Sequence, residues 1–206
     1  MPEFIQAWDL DFLWWLRSFR DPLVVTTAFL LSTISWKGWL WWLIIGTSWI
    51  RGKRDFAARV AISLTIAVVA GLPLKSVIAR PRPDLYASQQ LGVPMPELLL
   101  TTHSFPSGHA LLSATFAFIV YRHCNKYWAA LCFAFVVAIG LARIHGGYHW
   151  PTDIVFSVLL GAFCAWAGEK ICDQPFITRF TRPKEKPLIT PKERATTEPE
   201  RELVKR

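Results

Sequence analysis

Two histidines in separate parts of the chain lie in settings that suit nucleophilic and acid–base chemistry. His149 precedes Asp153 by four residues across a predicted helix start, so we expect the carboxylate to accept a hydrogen bond from one ring nitrogen. The other ring nitrogen is then available as a nucleophile. His109 follows Ser107 and Gly108 at the start of another predicted helix, where its ring can protonate a leaving oxygen.

The stretch Thr101–His109 is a predicted anion site. It reads Thr-Thr-His-Ser-Phe-Pro-Ser-Gly-His and runs directly into the apolar segment Ala110–Val120. The first N–H groups of a helix have no partner within it and lie at the positive end of the helix dipole, which favours a bound phosphate. Taken alone, Ser-Gly before a helix is explained as well by simple capping.

Three cations near these histidines favour a phosphate as the anion. Lys75, Arg82 and Arg143 lie at the ends of predicted helices, where they can neutralise a phosphoryl group. The guanidinium fork of arginine also matches the geometry of phosphate oxygens. Each cation has a simpler explanation as a helix-end anchor, and the pairing of His149 with Asp153 can be a structural hydrogen bond.

Three further residues flank these motifs and are weaker candidates. Arg80 is a possible auxiliary cation beside Arg82. His103 and His145 can tune the site, although solvent-exposed loop positions explain both of them as well.

The composition indicates a membrane protein. Of the 206 residues, 52% are hydrophobic and 11 are Trp, which is too apolar and aromatic for an ordinary soluble domain. The apolar residues form runs near spanning length once aromatic and basic flanks are added. The runs are Trp39–Ile50, Val60–Leu74, Ala110–Val120, Trp128–Leu141 and Ile154–Ala167. We therefore predict an all-α integral membrane bundle with about five spans.

The long helices have predicted bounds. They run from Phe56 to about Ala79, over Ser107–Arg122, from Trp128 to about Leu141, and from Pro151 to about Ile171. The polar loop Asp84–His103 is long enough to contact substrate.

The N-terminal residues 1–35 are predicted to lie in the membrane interface. Met1–Arg20 is amphipathic but too charged to span, and it lacks the features of a signal peptide. Asp21-Pro22 begins a second helix. Lys37 would lie near mid-membrane in one continuous span, so we expect a break near Ser35 and a snorkelling Lys37. The alternative is that Lys37 reaches a substrate phosphate.

Charge sets the expected sidedness. We predict that the basic turns Arg51–Arg59 and Tyr121–Lys126 are cytoplasmic. The basic tail 172–206 is predicted to be cytoplasmic and disordered. The core 36–171 then has its three polar clusters on the opposite face. These clusters are Lys75–Pro83, Ser104–His109 and Arg143–Asp153.

Neither the net charge nor the cysteines indicate another function. The net charge of +8 is assigned to the membrane flanks, where basic residues can contact anionic lipids, and not to nucleic-acid binding. The four cysteines lie inside or at the ends of predicted spans, and their spacing suggests neither zinc nor disulfides. They are Cys124, Cys132, Cys164 and Cys172.

Together the three clusters resemble the signature of the type 2 phosphatidic acid phosphatase family, which includes the vanadium haloperoxidases. The matching parts are Lys-x6-Arg-Pro at Lys75–Pro83, Pro-Ser-Gly-His at Pro106–His109 and Arg-x5-His-x3-Asp at Arg143–Asp153. Their order and internal spacings match, and the resemblance covers about residues 36–171. One departure is Ala142, which stands where the family usually has Ser and removes one expected phosphate hydrogen bond.

The resemblance implies a helical bundle and a phosphatase mechanism. In that mechanism His149 attacks phosphorus to give a phosphohistidine, Asp153 orients it, and His109 is the general acid. The phosphate-binding residues that it implies are Lys75, Arg82, Ser107, Gly108 and Arg143. It implies no metal and no cofactor.

The membrane setting favours a lipid phosphate or diphosphate as substrate. We expect hydrolysis of undecaprenyl diphosphate on the outer face of the plasma membrane, with phosphatidylglycerol phosphate and phosphatidic acid as alternatives. A lipid phosphotransferase, for example onto lipid A, is a second possibility from the same site. A non-enzymatic lipid-binding or transport protein is the remote alternative, and the sequence does not indicate an oligomeric state.

Overall fold

The structure, a computed structural model, describes residues 3–19, 26, 30, 39–86 and 103–181. Within these ranges the regular secondary structure is helical and includes no strand, which confirms the predicted all-α class. The helices are α1 (Glu3–Arg17), α2 (Trp39–Ile50), α3 (Arg54–Ile78), α4 (Gly108–His123), α5 (Lys126–His145), α6 (Pro151–Cys172) and α7 (Pro175–Thr181).

Helix α4 lies at the centre of the bundle. It packs against α3, α5 and α6, while α3 also packs against α6 and α2. Helix α6 approaches α4 closely at Gly161, where an added Cβ would lie 2.9 Å from the Cβ of Ala114. It approaches α3 at Gly168, where an added Cβ would collide with Ser63. Small residues at helix contacts allow close backbone packing, which is a main source of stability in membrane bundles.

Among the described residues, three helical segments are long and apolar enough to cross a membrane. They are Arg54–Tyr86, which begins with α3, Lys126–His145 and Pro151–Cys172. Helix α2 is apolar but has 12 residues, and α4 has 16. The long helices expose large apolar side chains, as helices surrounded by lipid do. Examples are Leu72, Val77, Val137, Leu159 and Phe163. The predicted span count of about five is not confirmed by these lengths.

The predicted positions of the long helices are confirmed. The ends of α3, α4 and α6 lie within two residues of the predicted ones. Helix α5 begins earlier and ends later than predicted, at His145 instead of about Leu141, so that Arg143 lies in its last turn. The predicted break near Ser35, Lys37 and residues 87–102 of the predicted loop lie outside the described residues.

Helix α1 has two different faces. Asp9 and Leu13 are buried, and the helix packs against α5 and α6. Phe4, Trp8 and Trp15 are exposed on its other side. The predicted amphipathic helix is therefore present, and its inner face covers one end of the bundle.

The tail prediction is wrong for residues 175–181. We expected disorder from residue 172, but Pro175–Thr181 forms α7, which packs against α3 and α6. Pro175 opens the helix, a position where the missing N–H does no harm. The hydroxyl of Thr181 donates to Asp55 at 3.4 Å and so joins the end of α7 to the start of α3. Residues 182–206 lie outside the described residues.

A buried charge network joins the helices at one end of the bundle. Arg59 on α3 donates to Asp55, to Glu169 on α6 and to Asp173 at distances of 2.8–3.0 Å. Glu169 also lies 2.6 Å from the ring of His123 at the end of α4. Because a buried charge is stable only when it is paired, this network fixes how these helix ends meet.

Candidate active site

The three polar clusters meet at the end of the bundle opposite the Arg59 network. Direct hydrogen bonds join the segment after α3 to Ser104, Ser104 to His149, and the segment after α3 to the start of α6. Arg143, in the last turn of α5, acts electrostatically on His149. The structure thus brings together residues that the sequence separates by up to 78 positions, from Lys75 to Asp153.

His149 is buried and its ring orientation is fixed by the backbone. It is 2% exposed, and its Nδ1 lies 2.6 Å from the carbonyl oxygen of Ser104. Because a carbonyl only accepts, Nδ1 must carry the proton and donate it. The lone pair of the neutral ring is therefore on Nε2, which is the nitrogen available for nucleophilic attack.

The predicted hydrogen bond between His149 and Asp153 is wrong. The closest approach of Asp153 to the ring is 3.9 Å, from Oδ2 to Nδ1. Instead Oδ2 accepts the backbone N–H of Trp150 at 2.9 Å. A carboxylate at the third position of a helix readily accepts the backbone N–H of the capping residue. Here that N–H competes with the imidazole for the carboxylate of Asp153. Asp153 thus remains a nearby negative charge and is not the direct partner of the ring.

Three cations act electrostatically on His149. Burial first, and then the charges of Arg143, Arg82 and Lys75, lower the pKa of the His149 imidazole well below its usual range. The hydrogen bond to Ser104 opposes this effect. The ring is consequently neutral at physiological pH, which is the form that a nucleophile requires.

Backbone carbonyls hold two of these cations. The ammonium of Lys75 donates to the carbonyl of His103 at 3.0 Å, and a guanidinium N–H of Arg82 donates to the carbonyl of Tyr148 at 2.9 Å. An ammonium has three donors and a guanidinium has five, so neither residue exhausts its donors on these bonds.

Tyr148 supports the two arginines through its ring. The guanidinium of Arg143 lies 4.1 Å from the ring centroid and that of Arg82 lies 5.9 Å from it. Gly146 makes room for this ring, since an added Cβ would lie 2.8 Å from it. The Nε–H of Arg143 is buried and has no hydrogen-bond partner among the described residues.

The start of α4 presents a backbone that is open on one side. Ser107 is the capping residue, and its hydroxyl accepts from the N–H of Ala110 at 3.5 Å. Its own N–H donates to Ser157 at 2.9 Å and is already used. A Cβ added at Gly108 would meet no atom within 4 Å. His109 is the next residue and lies in the first turn, as predicted.

Arg80 binds carboxylates and does not lie free beside Arg82 as an auxiliary cation. One nitrogen, Nη1, donates to Asp153 at 2.6 Å and to Thr152 at 2.8 Å. The other, Nη2, donates to Asp9 on α1. Its guanidinium also lies 5.0 Å from the ring centroid of Trp150. Arg80 was a candidate from its position beside Arg82, but these partners were not predicted.

The two flanking histidines connect neighbouring segments. The described contact of His103 is made by its backbone, through the bond from Lys75. The ring of His145 lies 3.2 Å from the carbonyl of Phe19, and its own carbonyl accepts from Arg17 at 3.1 Å. A role for either ring in tuning the site stays a prediction.

Three residues near His149 were not among the predicted site residues, namely Asp9, Ser104 and Tyr148. A signal was present for Asp9, because it is a single carboxylate in line with Ile5 and Leu13 on the apolar side of an amphipathic helix. Ser104 acts through its carbonyl, so its residue type carries no signal. Within the described part of the chain, no three His, Cys, Asp or Glu side chains are grouped as metal ligands would be.

Comparison with known proteins finds a family model that covers the candidate site. Residues 56–173 match the family model described as PAP2 superfamily. The match contains α4, α5 and α6, nearly all of α3, and every predicted catalytic and phosphate-binding residue. It leaves out α1, α2 and α7.

Two curated relatives have names that describe enzymes acting on polyprenyl lipids. The chain is 32% identical over 119 residues to an undecaprenyl-diphosphatase of Sulfolobus acidocaldarius, covering 57% of this chain and 56% of that protein. It is 30% identical over 126 residues to decaprenylphosphoryl-5-phosphoribose phosphatase of Mycobacterium tuberculosis, covering 61% of this chain and 66% of that protein. The matched parts thus span less than two thirds of either relative.

A solved structure has the same fold. The transmembrane PAP2 type phosphatidylglycerolphosphate phosphatase of Bacillus subtilis matches with a TM-score of 0.67 and 20% sequence identity, covering 83% of this chain and 87% of that one. Together with the three long apolar helices, these comparisons identify an integral membrane protein.

Proposed function

Because the chain belongs to the PAP2 superfamily, we propose that it is a membrane lipid phosphatase that works through a phosphohistidine intermediate. The observation that carries this proposal is the setting of His149. Its Nδ1 donates to the carbonyl of Ser104, which leaves Nε2 as the basic nitrogen. Three cations act on the same buried ring. A neutral nucleophile among cations suits attack on an anionic phosphoryl group.

In this proposal Lys75, Arg82 and Arg143 bind the transferring phosphoryl group. Burial of the Nε–H of Arg143 supports this role, because a phosphate oxygen is an acceptor that satisfies it. The hydroxyl of Ser107 and the backbone at Gly108 add donors at the start of α4, where the helix dipole favours an anion.

The reaction proceeds in two steps. In the first, Nε2 of His149 forms a bond to phosphorus as the bond to the leaving oxygen breaks, and His109 transfers its proton to that oxygen. The ring then carries a positive charge, which the nearby carboxylate of Asp153 and the carbonyl of Ser104 stabilise. In the second step a water, deprotonated by His109, attacks phosphorus and releases phosphate and neutral His149.

We assign a polyprenyl diphosphate, such as undecaprenyl diphosphate, as the preferred substrate. The names of the two curated relatives support a polyprenyl lipid. The name of the structural relative describes a phosphatidylglycerolphosphate phosphatase. That lipid is therefore the first alternative substrate, and phosphatidic acid is the second. For a diphosphate the leaving group is the lipid monophosphate, whose oxygen needs less help from an acid than an alcohol does.

The membrane arrangement in this proposal has five spans, α2 to α6. Helix α4, at about 24 Å, is shorter than the apolar core of a bilayer, but it lies within the bundle between longer helices. Residues 1–35 lie in the interface, 36–171 form the core and 172–206 are a basic cytoplasmic tail. The basic turns then face the cytoplasm and the site faces the outside.

The test measures phosphate release by the purified protein in detergent with EDTA present. The three substrates are undecaprenyl diphosphate, phosphatidylglycerol phosphate and phosphatidic acid. We expect release without added metal, fastest from the diphosphate, and none from His149→Ala. With a substrate labelled at the terminal phosphate, acid-labile and base-stable label should appear on the wild-type protein and not on His149→Ala.

Two alternative functions give different results in the same assay. A phosphotransferase, for example onto lipid A, would move the label to a second lipid and release little phosphate. A lipid-binding or transport protein would release none, and His149→Ala would bind lipid as the wild type does. Either result would exclude hydrolysis as the function.

A further inference from the structure

Helix α1 inserts a carboxylate into the end of the bundle that carries the site. Asp9 is fully buried, although it belongs to a helix outside the matched region 56–173. Its Oδ1 accepts the backbone N–H of Thr152 at 2.9 Å, and its Oδ2 accepts the hydroxyl of Thr152 at 2.6 Å. Oδ2 also pairs with Arg80. A carboxylate so deeply buried is stable only because these donors compensate its charge.

Arg80 joins this carboxylate to that of Asp153. Its two terminal nitrogens bind one carboxylate each, and the three side chains are 8% exposed or less. Two carboxylates and one guanidinium carry a net charge of −1. That charge lies beside His149, because Oδ2 of Asp153 is 3.9 Å from its Nδ1.

Arg80 also supports the other neighbour of the His149 ring. Its backbone carbonyl accepts the N–H of Ser104 at 2.8 Å and the Ser104 hydroxyl at 3.2 Å. Ser104 in turn holds Nδ1 of His149. One residue thus positions both groups that stabilise the ring, through its side chain and through its main chain.

We propose that Asp9 is a positioning residue of the phosphatase site, acting through Arg80 on Asp153 and Ser104. This inference rests on the proposed function. It makes α1 part of the catalytic unit, although the residues that touch substrate all lie in α3 to α6 and their connections. Loss of the Asp9 charge leaves the phosphate-binding cations in place, so it should affect turnover more than substrate binding.

The first experiment compares Asp9→Asn with Asp11→Asn in steady-state phosphate release. Asp11 is exposed on the same helix, so it is a matched control. We expect Asp9→Asn to lower kcat about 10- to 100-fold with KM within twofold of wild type, as small displacements of a reacting group do. Asp11→Asn should leave both unchanged. Wild-type kcat in Asp9→Asn would overturn the inference.

A double-mutant cycle tests whether Asp9 acts through Arg80. In an Arg80→Gln background, Asp9→Asn should lower kcat by less than twofold more, because the connection is already broken. If Asp9→Asn lowers kcat by the same factor in the Arg80→Gln background as in the wild type, then Asp9 acts by another route and the inference is overturned. If Asp9→Asn does not accumulate as folded protein, Thr152→Val replaces it, since it removes the hydroxyl that contacts both Asp9 and Arg80. Thr152→Val with unchanged kcat would also contradict the proposal.

Failure of the proposed function has a different result. If the wild type releases no phosphate from any of the three lipids, or if His149→Ala is as active as wild type, the phosphatase mechanism fails. If wild type is active, His149→Ala is inactive and Asp9→Asn turns over normally, only the role of Asp9 fails.

Discussion

The Nδ1 atom of His149 lies 2.6 Å from the carbonyl oxygen of Ser104. The ring is therefore oriented by a main-chain group, which no side-chain substitution removes directly. Asp153, at 3.9 Å, contributes a charge and does not fix the tautomer. The two tasks that one carboxylate often performs for a catalytic histidine are thus divided between two residues.

Asp153→Asn should lower kcat without removing the phosphohistidine. The amide has no charge to stabilise the phosphorylated ring, and its NH₂ group faces the donors of Arg80 or Trp150, so we expect a loss of about 100-fold. Ser104 still holds the ring, so labelled intermediate should form, only more slowly. Rapid-quench labelling measures this rate. No trace of intermediate, as in His149→Ala, would mean that Asp153 and not Ser104 orients the ring.

Gly108→Ala should weaken substrate binding while leaving the fold intact. The added methyl meets no protein atom within 4 Å, and alanine is the better helix former, so the melting temperature should stay or rise. In the proposed site the methyl occupies space beside the phosphate. We expect KM to rise about tenfold, equivalent to roughly 1.4 kcal/mol of binding free energy. Gly46→Ala in α2 is the matched control, because its Cβ is equally unobstructed. An unchanged KM in Gly108→Ala would show that the phosphate does not bind beside Gly108.

The free energy of unfolding should decrease as the pH is lowered, because His149 binds a proton less readily in the folded protein than in the unfolded chain. In the unfolded chain this ring binds a proton near pH 6.5, whereas burial, reinforced by neighbouring cations, lowers its pKa in the folded protein. Between the pKa of the folded protein and that of the unfolded chain, the unfolded state binds more protons. The contribution of His149 to the free energy of unfolding is therefore complete above about pH 6.5 and decreases below it. His149→Gln lacks this contribution. Its melting temperature should therefore fall less than that of wild type between about pH 7.5 and pH 5.5, and equal slopes would contradict the lowered pKa.

Arg59→Met should destabilise the protein without a specific effect on chemistry. Arg59 is 2% exposed and pairs with three carboxylates. Its removal leaves Glu169 with His123 and Arg122 as partners among the described residues. Loss of one partner from a buried network costs about 3 kcal/mol. The melting temperature in detergent should drop, while KM at a permissive temperature should match wild type. A changed KM would show that this end of the bundle influences the site.

Much of the fold was predictable because membrane helices leave strong signals in sequence. The apolar runs and their flanks located α3, α4 and α6 closely, since a helix satisfies its own backbone hydrogen bonds in lipid and needs a long apolar run to do so. The positions of the candidate site residues were predictable for a related reason, because Lys75, His109 and His149 are polar residues at the ends of apolar runs. Chain sections without such periodicity, such as Pro175–Thr181, gave no comparable signal.

The hydrogen-bond partners within the site were not predictable from spacing. Four residues separate His149 from Asp153, which permits a bond between them but equally permits Asp153 to cap its helix, as it does. Arg80 finds Asp9 across 71 residues of sequence. Such a pairing depends on how α1 docks, and no local pattern in either segment encodes that contact.

The arginines at the two ends of α3 have a mechanical consequence. Arg59 binds Glu169 near the end of α6, and Arg80, just beyond α3, binds Asp153 at the start of α6. The two helices are antiparallel, so a slide of one along the other would strain both ion pairs together. Helices α3 and α6 thus form a fixed frame, which holds the segment after α3 and the start of α6 at a constant separation.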